Sequence, residues 1–304
     1  MKISKNFTFI DLFAGIGGFH AAASKLGGKC VFASEIDIYA QQAYLANYGL
    51  KPQGDITQIA SSDIATHDML FAGFPCQPFS IMGKKQGFND NRGALFFEII
   101  RILKDKKNPI FILENVKQLA THNNGQTLKT MLKKLEALGY KVYWQVLNAL
   151  NYGLPQKRER LIMVGFLTQN VNFVFPSPAS KVSLEQILEN DKKVDKKYFV
   201  SDYIKQKRFN SHASKYNPAI WHENKGGNIA SYPYSCALRA GASHNYLLVN
   251  GIRRLTPREM LRLQGFSDDF KIVCNDSQTK KQAGNAVPVP MIYAVLEQIL
   301  HAST

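Results

Sequence analysis

The sequence predicts an α/β fold, a mostly parallel sheet with helices on both faces, joined to a smaller irregular region. Three observations carry this. Apolar strand-like runs alternate with helical patterns as far as Phe166, as in repeated strand–helix units. The first run ends in a glycine-rich turn that leads straight into a helical stretch. From Val171 to about Gly251 this periodicity gives way to short Ser-, Asn-, Gly- and Tyr-rich segments, and regular structure resumes afterwards.

Taken in order, FTFIDLFAG (Phe7 to Gly15) reads as a buried strand closed by a glycine turn, and GFHAAASKLG (Gly18 to Gly27) as the helix that follows. KCVFASEID and YAQQAYLANYG form a second strand–helix pair. MLFAGFP is a third strand and runs directly into GFPCQPFS. Two prolines within four residues there exclude a helix interior or a central strand, so Cys76 sits on a stiff loop. The helix ALFFEIIRILKD, the strand PIFILENV, the helix TLKTMLKKLEALG and the strands YKVYWQVLNA and RLIMVGF complete the series. Beyond the irregular region, LTPREMLRLQGF carries a helix start: Thr256 as cap, Pro257 first in the helix and Glu259 third. VPMIYAVLEQILHA is a final helix with an apolar face, assigned to the larger domain.

Composition narrows the function. The 304 residues carry 38 Lys and Arg against 23 Asp and Glu, a net charge of +15, which suits a polyanionic partner. The charge is densest in the irregular region: residues 170–254 hold 13 bases and 6 acids. Four cysteines without CxxC spacing or a paired His pattern argue against a zinc site or a disulfide framework. The opening MKISKNFTFIDLF has too short an apolar stretch for a secretory signal, and no run reaches the ~18 apolar residues of a membrane span. A reduced, cytoplasmic protein is expected, with no metal.

Several motifs point to a site on the carboxyl rim of the sheet, where open α/β folds bind ligands. FAGIGG places Gly15, Gly17 and Gly18 where a ligand can approach the backbone beside a helix start. The spacing is GxGG rather than GxGxxG, and no GK[ST] follows, so neither a dinucleotide fingerprint nor a P-loop is present. Glu35, 20 residues beyond Gly15, is placed to grip a ribose diol. Asp55, in GDIT, is expected at the end of a further strand-like segment on the same rim. Together these describe a nucleoside-bearing cofactor that needs no pyrophosphate. Glu114 of ENV ends the next strand and can face the same crevice as Cys76, a thiol and a carboxylate that suggest a nucleophile with an acid; taken alone, Glu114 reads rather as a helix cap or a surface acid. An arginine of QKRER (Gln156 to Arg160) can reach inward to a carboxylate or carbonyl oxygen; the alternative is a solvated charge cluster.

In order, FIDLFAGIGGFH, SEID, GDIT, GFPCQPFS, RGALFFEIIRI, ENV, NYGLPQKRER, RRLTPREMLRLQGF and QAGNAVPVPM resemble the motif series of the cytosine-C5 DNA methyltransferases of bacterial restriction–modification type. The resemblance spans nearly the whole chain and lacks firm correspondence only from about Val171 to Gly251, where this family keeps its variable target-recognition domain. It implies a Rossmann-like sheet that uses S-adenosylmethionine, yielding S-adenosylhomocysteine, with residues 1–170 catalytic, 171–270 target-recognising, and 271–304 returning to the catalytic domain. The substrate implied is a flipped-out cytosine in a short sequence of double-stranded DNA. Cys76 is then the nucleophile that attacks C6, Glu114 acts at N3, and Arg160 holds the cytosine carbonyl and steadies Glu114. Arg158 belongs to the same catalytic set, more as a support. Phe13, Gly15, Gly17, Glu35, Ile36, Asp55, Pro75, Asn285 and Val287 carry over as cofactor contacts.

For DNA, the stretch after Cys76 resembles the mobile loop that closes over the duplex, which nominates Met82, Lys84 and Lys85, with Met82 either wedging into the base stack or simply packing under the closed loop. CALRAGASHNYLLVNG nominates Arg239, Ser243, His244 and Asn245, and RRLTPRE nominates Arg254. A monomer is expected, with a cognate restriction endonuclease as a potential partner. The same motif set also occurs in enzymes that methylate cytosine in transfer RNA. A catalytically dead homologue is the reading from another class, and the intact Cys76, ENV and QKRER count against it.

Overall fold

A computed structural model describes residues 6–75, 94–179, 181–241 and 246–302. The chain divides into two compact units. The first comprises Met1–Leu147, Glu159–Ser177 and Ile292–Thr304; the second comprises Asn148–Arg158 and Pro178–Met291.

In chain order the first part of the molecule runs β1 (Thr8–Leu12), α1 (Gly18–Ser24), β2 (Lys29–Ser34), α2 (Ile38–Tyr48) and β3 (Met69–Gly73). It continues with α3 (Ala94–Lys106), β4 (Ile110–Val116), α4 (Gln126–Glu136), β5 (Lys141–Asn148), β6 (Gln156–Lys157) and β7 (Glu159–Phe166). After these come α5 (Asp202–Ser211), β8 (Ile220–Glu223), β9 (Ile229–Tyr232), β10 (Ser235–Cys236), β11 (Leu248–Val249) and β12 (Arg253–Arg254). Helices α6 (Pro257–Leu263), α7 (Asp276–Asn285) and α8 (Val289–Ala302) close the chain.

The first unit is built on a six-stranded sheet in the order β2-β1-β3-β4-β7-β5. Strands β2, β1, β3 and β4 run parallel, and β7 lies antiparallel to β4. This is the mostly parallel α/β sheet that the alternation of strands and helices predicts. Both faces are covered, which is why the strands read as apolar runs rather than alternating patterns. Ile10, Leu12, Leu70, Ala72, Phe111 and Leu113 turn to one face and pack with Ile99 and Leu103 of α3 and Met131 and Leu135 of α4. Phe9 and Phe71 fill the other face, where Phe19 of α1 stacks on Phe71 at 5.4 Å between ring centroids. Burying each such side chain contributes ~1.5–3 kcal/mol.

The direction of β7 decides where the site lies. Its register against β4 pairs Val116 with Arg160 and Glu114 with Ile162, so the start of β7 meets the end of β4. Residues at the carboxyl ends of β1 to β4 and at the amino end of β7 therefore share one rim.

The second unit contains a four-stranded antiparallel sheet, β12-β11-β8-β9, and a short parallel pair, β10 with β6. Helix α6 begins with the capping box read from the sequence: Thr256 and Glu259 each bond the other's backbone amide. Glu259 also receives both terminal nitrogens of Arg253, at 2.9 and 2.8 Å, and both side chains are fully buried. Asp191 takes the remaining guanidinium edge at 2.6 Å.

Candidate active site

The glycine turn after β1 is built from left-handed backbone. Phe13 (φ +54°), Gly15 (+54°) and Gly17 (+81°) all lie in that region, which only glycine occupies without strain. A Cβ on Gly15 would meet nothing within 4 Å, leaving open space beside its backbone. One on Gly17 would sit 2.3 Å from the ring of Tyr48, whose hydroxyl donates to the Gly17 carbonyl at 2.9 Å. The turn is thus open at Gly15 and braced at Gly17.

Glu35, just past β2, closes on the same turn. Its carboxylate accepts from the Gly15 amide and from the Asp37 amide, each at 2.8 Å. Each carboxylate oxygen keeps a further lone pair for a hydroxyl. Ile36 beside it is 71% exposed, an apolar surface open to a ligand. Asp55 does not end a regular strand. Its neighbour Gln53 makes a single parallel bridge to Ser34, and the Asp55 side chain instead caps a short 3₁₀ turn by accepting from the Thr57 amide at 2.9 Å. A carboxylate one residue before a turn satisfies the first orphan amide locally, which competes with strand continuation.

Beneath the turn lies a buried polar cluster. Asp11 is fully buried on β1, and neither carboxylate oxygen has a hydrogen-bond partner of good geometry. Burial, aided by the charge of Glu35, holds its pKa well above the usual carboxylate range. His20 shares a 2.7 Å hydrogen bond with the Tyr44 hydroxyl and stacks on Tyr48 at 4.0 Å; burial lowers its pKa to about 4. Burial likewise pushes the Cys30 thiol up to about 12, so this cysteine is a packing residue.

At the next strand end, Gly73 pairs with Glu114 across β3 and β4. Asn115 donates to the Phe74 carbonyl at 2.9 Å, fixing the backbone two residues before Cys76. Glu114 is 8% exposed, and its carboxylate receives Arg160 Nε at 2.7 Å. Two residues earlier, Arg158 does something different. Buried within the second unit, it donates to the carbonyls of Leu238, Gly284 and Ala286 at 2.8–3.0 Å. Gln156 ties the same segment by accepting from the Leu238 amide and donating to the Leu263 carbonyl.

A family model for C-5 cytosine-specific DNA methylases matches residues 7–301. This chain belongs to that family. It is 57% identical to the type II methyltransferase M.NgoBI of Neisseria gonorrhoeae over 287 residues, covering 94% of this chain and 90% of that protein. It is 55% identical to the type II methyltransferase M.HaeII of Haemophilus aegyptius over 300 residues, covering 98% and 94%. Its fold also matches the Entamoeba histolytica methyltransferase EhMeth, with a TM-score of 0.76 at 19% identity and coverage of 98% and 99%. The protein is accordingly a DNA cytosine-5 methyltransferase of the type II restriction–modification kind.

In this methylase the structure brings Phe13, Gly15, Gly17, Glu35, Ile36, Asp55, Pro75, Glu114 and Arg160 into the first unit. Arg158, Asn285, Val287, Arg239 and Arg254 fall in the second. Asn285 ends α7 and is exposed, whereas Val287 is buried. Cys76, Met82, Lys84, Lys85, Ser243, His244 and Asn245 lie outside the described residues. Sequence reasoning missed Asn115 and Tyr48. Asn115 was within reach, since it is the middle residue of ENV. Tyr48 carries no motif of its own, and only the turn conformation reveals its part. No described helix is long and apolar enough to cross a membrane.

Proposed function

We propose that this methylase transfers a methyl group from S-adenosylmethionine to C5 of a cytosine flipped out of a short double-stranded DNA sequence, through a transient bond between Cys76 and C6. The observation that carries this reading is the buried Glu114–Arg160 pair, set beside the strand end that precedes Cys76 in the chain.

The residues of the glycine turn fit the cofactor. Gly15 leaves open space, Glu35 has lone pairs for the ribose hydroxyls, and Phe13 and exposed Ile36 offer flanking surfaces for an adenine. Asp55 would accept from the adenine amino group, Gly15 and Gly17 would approach the methionine end, and Pro75, Asn285 and Val287 are the remaining cofactor contacts. When bound, S-adenosylmethionine supplies an electrophilic methyl group.

The protein's part is to make C5 nucleophilic. Thiolate addition at C6 breaks the 5,6 double bond, and Glu114 delivers a proton or hydrogen bond to N3, so that charge does not accumulate on the ring. Arg160 holds Glu114 in place and faces the cytosine carbonyl with its remaining donors. After C5 is methylated, loss of its proton expels the Cys76 thiolate and restores the aromatic ring. Arg158 acts on this chemistry as a positioning residue, through the carbonyls it clamps. The functional division proposed is residues 1–170 catalytic, 171–270 target-recognising and 271–304 returning to the catalytic domain, whereas by compactness Asn148–Arg158 and Pro178–Met291 group as the second unit. The protein acts as a cytoplasmic monomer, with a cognate endonuclease as its potential functional partner.

The test is bisulfite sequencing of plasmid DNA from a host free of cytosine methylation, expressing the wild type beside Cys76→Ala. Protected cytosines within one short motif, absent in the variant, support the assignment. No protection despite abundant soluble wild-type protein would overturn it and direct the search to transfer RNA.

A further inference from the structure

The second unit contains a cleft of ≈ 560 Å³, open solvent included, that the catalytic chemistry does not use. Arg239, Arg254 and Lys280 line it together with Tyr198 and Tyr246. These cations come from separate places in the chain: the segment after β10, strand β12 and helix α7. They converge on the two rings. The Arg239 guanidinium lies 4.8 Å from the Tyr246 ring centroid, Lys280 Nζ lies 6.0 Å from the same ring, and the Arg254 guanidinium lies 5.9 Å from that of Tyr198. Each ring face is attractive to a cation and sets the spacing of the charges.

Asp276 is the acid among the lining residues, and its carboxylate is already engaged, accepting from the Tyr198 hydroxyl at 2.6 Å and pairing with Lys197 at 3.1 Å. The lining therefore carries a net positive charge, and Arg239 and Arg254 come from the stretch of sequence richest in basic residues.

We propose that this cleft seats a phosphodiester of the nucleic-acid backbone, with Lys280 as its central charge and Arg239 and Arg254 as flanking donors. This rests on the DNA reading above and gives the arginines a positioning rather than a base-reading part. Lys280 is only 9% exposed, and burial, with the charge of Arg254, already lowers its pKa. An anion between these groups favours the charged form of the lysine against both effects. A lysine serves such a site as a point charge, whereas base recognition favours the bidentate fork of an arginine pointed at a base edge. Arg239 instead lies against a tyrosine face.

The experiment compares wild type, Lys280→Met and Lys280→Arg for binding to two short duplexes, one carrying the methylated site and one scrambled, by fluorescence anisotropy across a salt series. The wild type loses affinity steeply with salt. For Lys280→Met, the slope of log K against log[salt] should fall by about 0.9, as for one lost phosphate contact, with a similar several-fold loss of affinity on both duplexes. Lys280→Arg should restore the slope. Equal slopes for wild type and the Lys280→Met variant, both still binding DNA, would overturn the phosphate seat while leaving the methylase reading intact. A loss confined to the methylated-site duplex would make Lys280 a base reader and also overturn it. A parallel titration with inorganic phosphate separates the sources. If phosphate saturates the site at low millimolar concentration without competing with either duplex, the cleft belongs to a free anion instead. A wild type that binds neither duplex would sink the DNA reading itself, and this assignment with it.

Discussion

Replacing Gly17 with alanine should damage the fold, whereas the same change at Gly15 should damage mainly the cofactor site. Both glycines have positive φ, +54° at Gly15 and +81° at Gly17, so either alanine incurs ~1–2 kcal/mol of left-handed strain. At Gly15 the cost stops there, because the added methyl meets nothing within 4 Å. At Gly17 the methyl would lie 2.3 Å from the Tyr48 ring, so the ring must move. Moving it breaks the hydrogen bond to the Gly17 carbonyl, worth ~0.5–1.5 kcal/mol, and disturbs its 4.0 Å stack on His20, worth a similar amount. The expected losses are ~2–5 kcal/mol for Gly17→Ala and ~1–2 kcal/mol for Gly15→Ala. Urea unfolding gives the stabilities, and calorimetric titration with S-adenosylhomocysteine gives the affinities. Gly15→Ala should bind the ligand much more weakly while remaining nearly as stable as wild type. Equal destabilisation of the two variants would refute the claim that Tyr48 braces the turn.

Other consequences are as direct. Glu114→Gln should leave S-adenosylhomocysteine binding unchanged and slow methyl transfer by ~10²–10⁴-fold, the usual contribution of a positioned acid; tritium transfer into duplex DNA measures it. Glu259→Ala removes the buried partner of Arg253, leaving the part-exposed Asp191 to hold its charge, and should cost ~3–5 kcal/mol, read as a lower urea midpoint. Because folding lowers the His20 pKa from 6.5 to about 4, the unfolded chain takes up the extra proton in that window. Stability from this group should therefore fall as pH drops from 6.5 to 4, by up to ~3 kcal/mol. Asp11 works in the opposite sense over acid pH, so the test is wild type minus His20→Phe, in which the Asp11 contribution cancels. A difference that stays flat across the window would contradict a neutral, buried His20.

The elements that sequence reveals well are those whose burial is two-sided and continuous. Strands β1, β3 and β4 announce themselves because nearly every side chain must be apolar. Their direction is another matter. RLIMVGF reads the same whether it runs parallel or antiparallel, yet only the antiparallel choice brings Arg160 to Glu114. Helix α7 escapes notice because its buried positions are Thr279, Lys280, Gln282, Ala283 and Gly284, which draw no apolar stripe. Small residues are needed there, since a Cβ on Gly284 would come within 2.4 Å of the Ala240 amide. The two arginines of QKRER differ for a reason no local pattern encodes. The carbonyls that claim Arg158 lie 80 to 128 residues further along the chain. Asp55 misleads for the opposite reason: a purely local bond to Thr57 decides its conformation.

The backbone from Leu238 to Ala240 is pinned from three directions: by Gln156, by Arg158 and by the bare face of Gly284. An anchor of this kind separates inheritance from novelty. A substitution that leaves those three partners in place leaves the root of the segment fixed. The chain that leaves this anchor starts from a foundation set elsewhere in the sequence, at positions 156, 158 and 284.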